Sequence, residues 1–450
     1  MSARSWSLLS ALCAALVAAP CRATGAEVLT LERALSIAEE QNRDIQKSEE
    51  YQNWIRGRYE EERAQALPQV TLGASYRREY DETYALFTGG LFPKSQDTTT
   101  YEIGLKQTLF HWGRVAAAIR GASIGVDIGK EQLRFYRQGA RRGVSEAFHD
   151  VVLAEELLAI STENLKQKER HLEEARKKFD IGTVTDYDVL AAEVDTANAR
   201  PAVIRAENGI RTAKKRLLFH LGREEGEIEI EGTLEAAEEE LPDYADAVRD
   251  ALARRPELTQ QRLLIQGYEQ VLTIERAGLR PRLDLAAAYA EKSLAAEGLE
   301  IRPATWSAAL VLIFPVFDGF RTQGKVRQAR SDLDSARIEE AKLRDAVTLQ
   351  VRTALDAARE AAEILKALQG TVQQAERLLD MAEKGFEFGV KTRLDVDDAQ
   401  LNLIQARANR ARAQRDYVVA LTDLEWVRGV IGETIATGRD AGGRGYASAR

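Results

Sequence analysis

The segment FDIGTVTDYD, residues Phe179–Asp188, returns as FEFGVKTRLD, residues Phe386–Asp395, and the offset is 386 − 179 = 207 residues. The segment FHWGR at 110–114 returns at the same offset as FDGFR at 317–321. Because Phe, Gly, Thr and Asp keep the same spacing in the longer pair, the chain contains a long internal repeat. A repeat of this length predicts two copies of one structural unit.

The first 26 residues predict a secretory signal peptide. Arg4 supplies a positive start, and a short apolar run and several small residues follow it. Cys13 and Cys21 both fall inside this segment, so the mature protein is expected to lack thiols, disulfides and cysteine metal sites. The alternative that Cys21 accepts a lipid stays open, although Pro20 is a poor match to the small residue that such sites favour.

The predicted organisation is a first repeat at 27–221 and a second repeat at 243–432, joined by an acidic linker at 222–242. The tail at 433–450 is rich in Gly, Arg and Ala and is predicted to be disordered. The formal net charge of −8 argues against nucleic acid as a partner. After the signal peptide, no stretch approaches the roughly 18 apolar residues of a transmembrane helix, so a membrane crossing would need strands.

Each repeat contains two segments in which apolar and polar residues alternate. They cover 70–80 and 100–110 in the first repeat, and 282–291 and 304–314 in the second. A period of two over about ten residues fits a tilted membrane strand, and it equally fits a strand of a soluble sandwich. Aromatic residues near the strand ends favour the membrane interpretation; they are Tyr76, Tyr80, Tyr101, Trp112 and Trp306.

Long coiled-coil helices are expected after each strand pair. In the first repeat no Pro occurs from 113 to 179, and apolar residues recur every seven positions over 151–179. The second repeat shows the same heptads over 358–386. Sustained heptads predict a continuous coiled-coil helix in both copies, and the first would be about 100 Å long.

A returning helix is predicted at 186–221, about half as long as the helix that it follows. The helix at 43–66 has the length to cover the other half, so the expected fold is mostly α, a rod with a small sheet at one end. Pro201 is expected to interrupt the returning helix of the first copy, where the second copy has Ala408, so the two copies should differ by a kink there.

Four strands in one chain cannot close a barrel, for which about eight are needed. Open sheet edges are not tolerated in lipid, because every backbone polar group there needs a partner. A chain that crosses the membrane in this way is therefore expected to oligomerise, as a dimer with eight strands or as a trimer with twelve.

Three motifs resemble the TolC-like outer-membrane efflux family: LTLERAL at 29–35, GTVTDYDVL at 182–190 and FDGFR at 317–321. The resemblance covers about 29–432 and includes the duplication. It implies a homotrimer in outer-membrane lipid, with a 12-stranded β-barrel and an α-helical periplasmic tunnel. It also implies docking on a periplasmic adaptor protein and an inner-membrane transporter. His111-Trp112 departs from the Asp-Gly of the family's strand-to-helix turn.

The resemblance further implies that the turns between the long helices and the returning helices contact the adaptor. The residues expected to make this contact are Gly182, Thr183 and Val184 in the first copy, and Gly389, Val390 and Lys391 in the second. Each Gly supplies the left-handed conformation that ends a helix, and a Thr three residues later can cap the next helix. These turns therefore also fit a purely structural role.

The resemblance also implies a gate at the periplasmic entrance, because the family carries at this position the aspartates that line the closed entrance. The residues of the second copy expected to form it are Lys391, Arg393, Asp395 and Asp398. Asp395 and Asp398 lie three residues apart on one helical face, so a trimer would form two rings of carboxylates. Asp395 also fits the acidic residue of a capping box, which is a structural role. Asp398 is harder to explain by the fold alone, because its counterpart in the first copy is Ala191 (398 − 207 = 191). Contacts of Lys391 or Arg393 between copies, or hydrogen bonds donated by backbone groups at the helix start, would hold the closed copies together. Asp397 is expected to be solvated.

The sequence carries no recognisable catalytic motif. The four histidines are scattered, and there is no HExxH, nucleophile elbow or Gly-rich phosphate loop. No enzymatic activity, cofactor or metal site is expected. The expected function is the outer-membrane exit duct of a tripartite efflux or type I secretion system. The alternative is a periplasmic coiled-coil adaptor or structural spacer, although the paired strands in both copies favour the duct.

Overall fold

A computed structural model of the chain describes residues 27–83, 94–235, 240–296 and 299–432. The predicted signal peptide and the predicted disordered tail lie outside these residues. Along the chain the helices and strands are β1 Glu27–Leu29, α1 Leu31–Gln41, α2 Arg43–Ala64, β2 Gln69–Tyr80, β3 Ser95–Phe110, α3 Arg114–Asp180, α4 Asp186–Leu221, β4 Ile228–Ile230, α5 Tyr244–Arg254, α6 Pro256–Arg276, β5 Arg282–Ala296, β6 Leu299–Ile301, β7 Ala304–Ile313, α7 Arg321–Ala367, α8 Thr371–Glu387 and α9 Arg393–Arg428.

The described residues form two compact units, each built from three separate stretches of chain. The first unit takes its described residues from 1–42, 143–238 and 361–419, and the second takes them from 43–142, 239–360 and 420–450. Each unit therefore combines parts of both predicted repeats.

The second unit contains an antiparallel sheet with the strand order β2–β3–β5–β7, and the three-residue strand β6 pairs with the end of β5. The four alternating segments all form strands, as the alternation predicts. β3 begins at Ser95, five residues before the predicted start at Thr100. The extension consists only of the polar residues Ser, Gln, Asp and Thr. Apolar and polar residues therefore do not alternate in it, and the sequence pattern does not reveal this part of the strand.

Helix α2 packs against the first part of α3 within the second unit. Ile45 is buried against Leu133 and Ala140, and the Gln52 side-chain amide donates to the Gly129 carbonyl at 3.4 Å. The sheet, α2 and the first part of α3 belong to the same compact unit. None of the described helices combines the length and the apolar composition that a membrane-spanning helix needs.

A second core of this unit joins α5, α6, α7 and the end of α9. Its buried side chains include Ala247, Leu258, Val347, Val351 and Val427. Beside this core, two guanidinium groups lie over the ring of Trp426: that of Arg142 is 4.6 Å and that of Arg255 is 5.2 Å from the ring centroid. Arg255 is buried and pairs with Glu257 at 2.6 Å, so its charge is compensated.

The first unit has a core between α1, α3, α4 and the two-stranded parallel sheet of β1 and β4. Its fully buried side chains include Leu29, Ile37, Val151, Leu217 and Leu221. Gly222 ends α4 with φ 79°, and a Cβ there would lie 2.0 Å from the Gln41 carbonyl oxygen. Sequence analysis did not predict β1 or β4, because strands of three residues are too short to show a period.

The long helix of the first copy is continuous, as predicted, because α3 runs over 67 residues without a break. The prediction of an equally continuous helix in the second copy is wrong, since α7 ends at Ala367 and α8 begins at Thr371. Gly370 takes a left-handed φ of 79° at the break. Its counterpart in the first copy is Glu163 (370 − 207 = 163) inside α3, and a non-Gly residue disfavours that conformation.

The predicted interruption at Pro201 does not occur, because α4 is continuous across it, and the predicted kink at this position stays a prediction. Proline removes one backbone donor, but packing can offset a single lost hydrogen bond. Thr196 and Ala199 before the proline and Ala213 after it are buried, so α4 is packed on both sides of that position.

Candidate functional site

The turn between α3 and α4, which we call the first tip (179–188), is closed by its own backbone. Gly182 has φ 73°, and the Thr183 N–H donates to the carbonyl five residues earlier at 2.9 Å. The Asp188 carboxylate accepts from the backbone N–H and from the hydroxyl of Thr185, each at 2.8 Å. This is the acidic half of a capping box, and it fixes the start of α4.

The turn between α8 and α9, the second tip (386–395), repeats this geometry. Gly389 has φ 73°, and the Val390 N–H donates to the carbonyl five residues earlier at 2.8 Å. The Asp395 carboxylate accepts from the backbone N–H of Thr392 at 2.8 Å and from its hydroxyl at 2.7 Å. The helix-ending role expected of the two glycines and the capping role expected of the two threonine–aspartate pairs are both confirmed.

Both tips present large apolar side chains to solvent. Ile181 and Tyr187 are exposed in the first tip, and Phe388 and Val390 are about four-fifths exposed in the second. A Cβ added at Gly182 or at Gly389 would meet no atom within 4 Å. Exposed apolar groups clustered on a small turn are typical of a surface that another protein covers.

Asp395 is the best-compensated carboxylate of the second tip. Hydrogen bonds from the backbone N–H of Thr392, from its hydroxyl and from Lys391 together lower the pKa of Asp395 to about 2, and the backbone N–H makes the largest contribution. The Lys391 ammonium lies 3.2 Å from the Asp395 carboxylate. The structure therefore brings two of the four expected gate residues together within one chain.

Asp397 is part of an ion-pair cluster, and the expectation that it is solvated is wrong. The Lys168 ammonium on α3 lies 2.9 Å from Asp397 on α9 and 3.5 Å from Asp195 on α4. Arg393 approaches the same Asp397 carboxylate at 3.4 Å. The Lys168 side chain is only 14 % exposed, so this lysine joins three helices from a largely buried position.

Sequence analysis missed Lys168, although one signal could have revealed it. Lys168 lies three residues after Leu165, at the second apolar position of the heptad. A lysine at such a position needs a partner, because burying an unpaired charge is costly.

Asp398, by contrast, is exposed. Among the described residues no cation lies within ion-pair distance of its carboxylate.

A polar layer lies next to this cluster. Gln400 is 1 % exposed and donates to the Asn164 side chain at 3.3 Å. Burial lowers the pKa of His171, with Arg393 as the next contribution. Within the described residues, the Gln400 Oε1 and the His171 Nε2 are buried without a hydrogen-bond partner. Charged and polar side chains, rather than apolar contacts alone, therefore join α3 and α9 near the tips.

The antiparallel sheet of the second unit has two unlike faces. The register places Leu72, Ile103, Tyr289 and Trp306 in one row across the four strands. Val70, Leu105, Ala287 and Ala308 form the next row on the same side, which we call the apolar face. The opposite side, the polar face, carries Glu102, Lys106 and Asp284. The side chains of Leu72 and Trp306 are about 80 % exposed in the single chain.

An exposed apolar sheet face combined with long helical hairpins is the architecture of a membrane channel protein with a helical extension. The chain belongs to the outer membrane efflux protein family, whose model matches residues 34–223 and 247–430. It is 25% identical over 351 residues to the outer membrane efflux protein BepC of Brucella suis biovar 1, which covers 77% of this chain and 76% of that protein.

Two further comparisons agree. The alkaline protease secretion protein AprF of Pseudomonas aeruginosa is 25% identical over 378 residues, covering 82% of this chain and 78% of that protein. The solved structure of the Campylobacter jejuni CmeC outer membrane channel matches with a TM-score of 0.77 at 16% identity, covering 93% of this chain and 90% of that one. The protein is an outer-membrane efflux or secretion duct that extends into the periplasm, so the first of the two expected functions is confirmed.

Proposed function

We propose that three copies of this chain form the exit duct of a tripartite efflux or type I secretion system. The observation that carries this proposal is the pairing of the long strands. Within the described sheet, β2 pairs only with β3, and β7 pairs only with β5, so both edges are open beside an exposed apolar face. Open edges cannot face lipid. Pairing β7 of one copy with β2 of the next removes both edges.

Twelve strands suit a conducting duct better than eight. A barrel of eight strands has an interior filled by side chains, whereas a wider barrel leaves an aqueous lumen. In the trimer the apolar face meets lipid, and the polar face with Glu102, Lys106 and Asp284 lines the lumen. The long helices continue the lumen across the periplasm as a tunnel.

The tips are the proposed contact with a periplasmic adaptor protein, which couples the duct to an inner-membrane transporter. Gly182, Thr183 and Val184 provide this surface in the first tip, and Gly389, Val390 and Lys391 provide it in the second. Three features support the assignment: the apolar side chains exposed at both tips, the open space around the two glycines, and the backbone hydrogen bonds that hold both turns in shape.

The second tip is also the proposed gate. Asp395 and Asp398 of three copies would crowd around the threefold axis, and the resulting negative ring favours cations over anions. Lys391 and Arg393 already pair with Asp395 and Asp397 of their own copy. Asp398 is the exposed carboxylate that has no such partner among the described residues, so we place the strongest cation binding there. Multivalent cations that prefer oxygen ligands should block the entrance from the periplasmic side.

The duct is tested with two neighbouring arginine substitutions in β7. Leu310→Arg places a cation on the apolar face and should cost roughly 2–4 kcal/mol near the middle of the membrane. Ala309→Arg, at the same depth on the polar face, should be tolerated. We expect trimers and ion conductance in planar bilayers to be lost only for Leu310→Arg, with trimer mass measured by native mass spectrometry. Equal sensitivity of the two variants would contradict the membrane orientation of the sheet.

A further inference from the structure

An open groove lies on the helices of the second unit, over the first part of α3. Helix α2 forms one wall and α6 forms the other. Helix α3 touches both: a Cβ at Gly129 would lie 3.4 Å from the Ile55 side chain, and the Arg120 guanidinium donates to the Gln270 side chain at 3.0 Å. The groove has a volume of about 560 Å³, which is within the range of pockets that hold small organic molecules.

The floor of the groove consists of small residues of α3. Ala118, Gly121, Ala122 and Gly125 line it, and their spacing of three and four residues places them on one helical face. A Cβ added at Gly125 would meet no atom within 4 Å. The groove is therefore open because α3 presents almost no side chains along this face.

The second copy has larger side chains at the equivalent positions. The counterparts of Ala118, Gly121 and Gly125, 207 residues later in α7, are Lys325, Gln328 and Asp332. Glycine inside a helix is less favourable than alanine, and no neighbouring atom at Gly125 requires a residue without a side chain. Packing of the helices therefore does not explain the small floor, which is specific to the first copy.

Aromatic and apolar side chains form the two walls. On α2 the rings of Tyr51 and Trp54 stack with centroids 5.7 Å apart and an angle of 14° between their planes. Trp54 is 57 % exposed. On α6 the wall contains Tyr268 together with Leu264 and Val271, which are both partly open to solvent. The walls thus offer flat apolar surfaces to a ring that lies over the floor.

Two guanidinium groups line the groove without a carboxylate partner. Arg58 lies over the Trp54 ring, 5.7 Å from its centroid, and Arg114 lines the end of the groove where α3 begins. Neither makes an ion pair with another residue that the structure describes. Among the described lining residues Glu62 is the single carboxylate, and it accepts from the Gln65 side chain at 2.6 Å. The excess positive charge favours an anionic group in the groove.

Arg114 also relates the groove to the polar face of the sheet. On that face the Asp284 carboxylate accepts from the Thr108 hydroxyl at 3.0 Å. His111, which lies between Thr108 and Arg114 in the chain, responds to the charges of both neighbours. Burial lowers the pKa of His111, the Arg114 guanidinium lowers it further, and Asp284 acts in the opposite direction. Arg114 thus lies on the side of the polar face, which lines the lumen in the proposed trimer.

We infer that this groove binds aromatic organic anions in the lumen of the duct, with the ring over the floor and the acidic group on Arg58 or Arg114. Aromatic rings stack on the side chains of the walls, and a guanidinium binds a sulfonate or carboxylate through charge-assisted hydrogen bonds. The inference rests on the proposed duct function, to which it adds a class of cargo.

The proposed trimer leaves the groove open. Pairing of β7 with β2 of the next copy brings that copy beside α2, because α2 directly precedes β2 in the chain. Helix α3 lies on the other side of α2, where Ile45 packs against Leu133 and Ala140. The neighbouring copy therefore approaches the flank of α2 that faces away from the floor.

Equilibrium dialysis with two probes of the same ring system measures the binding. The probes are the anion naphthalenesulfonate and the cation naphthylmethylammonium, the protein is purified in detergent, and micelles without protein give the blank. We expect the anion to bind at least about tenfold more tightly than the cation, as charge-assisted hydrogen bonds to guanidinium groups predict. Arg58→Gln with Arg114→Gln should remove most of this preference. Equal binding of the two probes, or no saturable binding of the anion, would overturn the inference.

Filling the floor tests where the anion binds. Gly125→Leu places a side chain in the groove, and Gly139→Leu on the same helix is the matched control, since a Cβ at either glycine meets no atom within 4 Å. We expect Gly125→Leu to weaken binding of naphthalenesulfonate by about tenfold or more, because the side chain occupies the space of the ring. Gly139→Leu should bind as the unmodified protein does. Equal affinities of the two variants would place the anion elsewhere and overturn the groove as its site.

Single-channel recordings in planar bilayers separate the cargo site from the duct itself. Naphthalenesulfonate should reduce the current of the unmodified protein and of Gly139→Leu, each compared with its own current before addition, and this response should be lost in Gly125→Leu. A conducting protein whose current does not respond to the anion would overturn the cargo site and leave the duct intact. Absence of trimers and of conductance in the unmodified protein would overturn the duct, and the cargo assignment with it.

Discussion

The two tips share one backbone and differ in charge. Both have a glycine at φ 73° and an aspartate that caps the following helix through a threonine three residues earlier. The side chains around that frame differ. Lys391 and Arg393 of the second tip correspond, 207 residues earlier, to Val184 and Asp186 of the first. Asp397 and Asp398, just after the second tip, correspond to Leu190 and Ala191.

This difference separates what the turn needs from what a gate needs. Glycine, threonine and the capping aspartate occur in both copies, because they satisfy the backbone at the start and the end of the helices. The ion pairs of Lys391 and Arg393 and the exposed carboxylate of Asp398 occur only in the second copy. Charge specific to one copy, on a frame common to both, is where we place the gating function.

The largest expected effect on transport comes from disrupting the backbone conformation that the two tips share. Gly182→Pro and Gly389→Pro cannot keep a φ of 73°, because proline fixes φ near −65°. We expect either change to abolish transport while trimers and outer-membrane insertion persist, measured by efflux-dependent growth and by native mass spectrometry. Gly→Ala at the same positions is the control, since it meets no neighbouring atom and should cost only about 1–2 kcal/mol. Loss of the trimer in the proline variants would show that the tips are structural elements only.

The second-largest effect is expected on ion selectivity, when the carboxylates of the second copy alone are removed. Asp395→Ala combined with Asp398→Ala should reduce cation selectivity and weaken block by multivalent cations by roughly an order of magnitude. Asp188→Ala removes the equivalent cap of the first tip and should leave selectivity unchanged. Single-channel recordings in planar bilayers measure both quantities. Unchanged selectivity in the double variant would leave Asp395 as a helix cap and remove the ring.

The pH dependence of this cap follows from the lowered pKa of Asp395, about 2 against an ordinary value of 3.8. Because the folded pKa is below the unfolded one, the cap contributes its full stability above about pH 4 and loses it as the pH falls towards 2. The charge contributed by Asp395 should therefore be the same at pH 7 and at pH 5.

The smallest effect concerns the break between α7 and α8, another place where the two copies differ. Gly370→Ala keeps the left-handed φ only with strain and should destabilise the protein by about 1 kcal/mol. Gly324→Ala, inside α7 with no neighbouring atom within 4 Å, should instead stabilise it by up to about 1 kcal/mol. Chemical denaturation of the two variants in detergent gives the comparison. A stabilising Gly370→Ala would mean that the break is readily replaced by continuous helix.

The features that local sequence could predict are those set by neighbouring residues. Alternation located the four strands, and the glycine, threonine and aspartate spacing located both tips with their caps. The Lys168–Asp397 pair was missed because its partners are 229 residues apart and only the fold brings them together. The left-handed backbone of Trp112 and Phe320, with φ of 48° and 64°, was not predictable either, since the sequence shows a positive φ only where glycine makes it easy. Gly370 was visible, but the heptads on both sides favoured a continuous helix.

The interleaving of the two units has a consequence for the order in which the chain folds. The first unit includes residues from 361–419 and the second includes residues from 420 onward. Val427 is part of the buried core that contains Leu258 and Val347. Neither unit can complete its packing while the chain is being synthesised, until nearly all of the described sequence has emerged. Such delayed folding suits a polypeptide that crosses the inner membrane as an extended chain, because premature compact structure would obstruct its export.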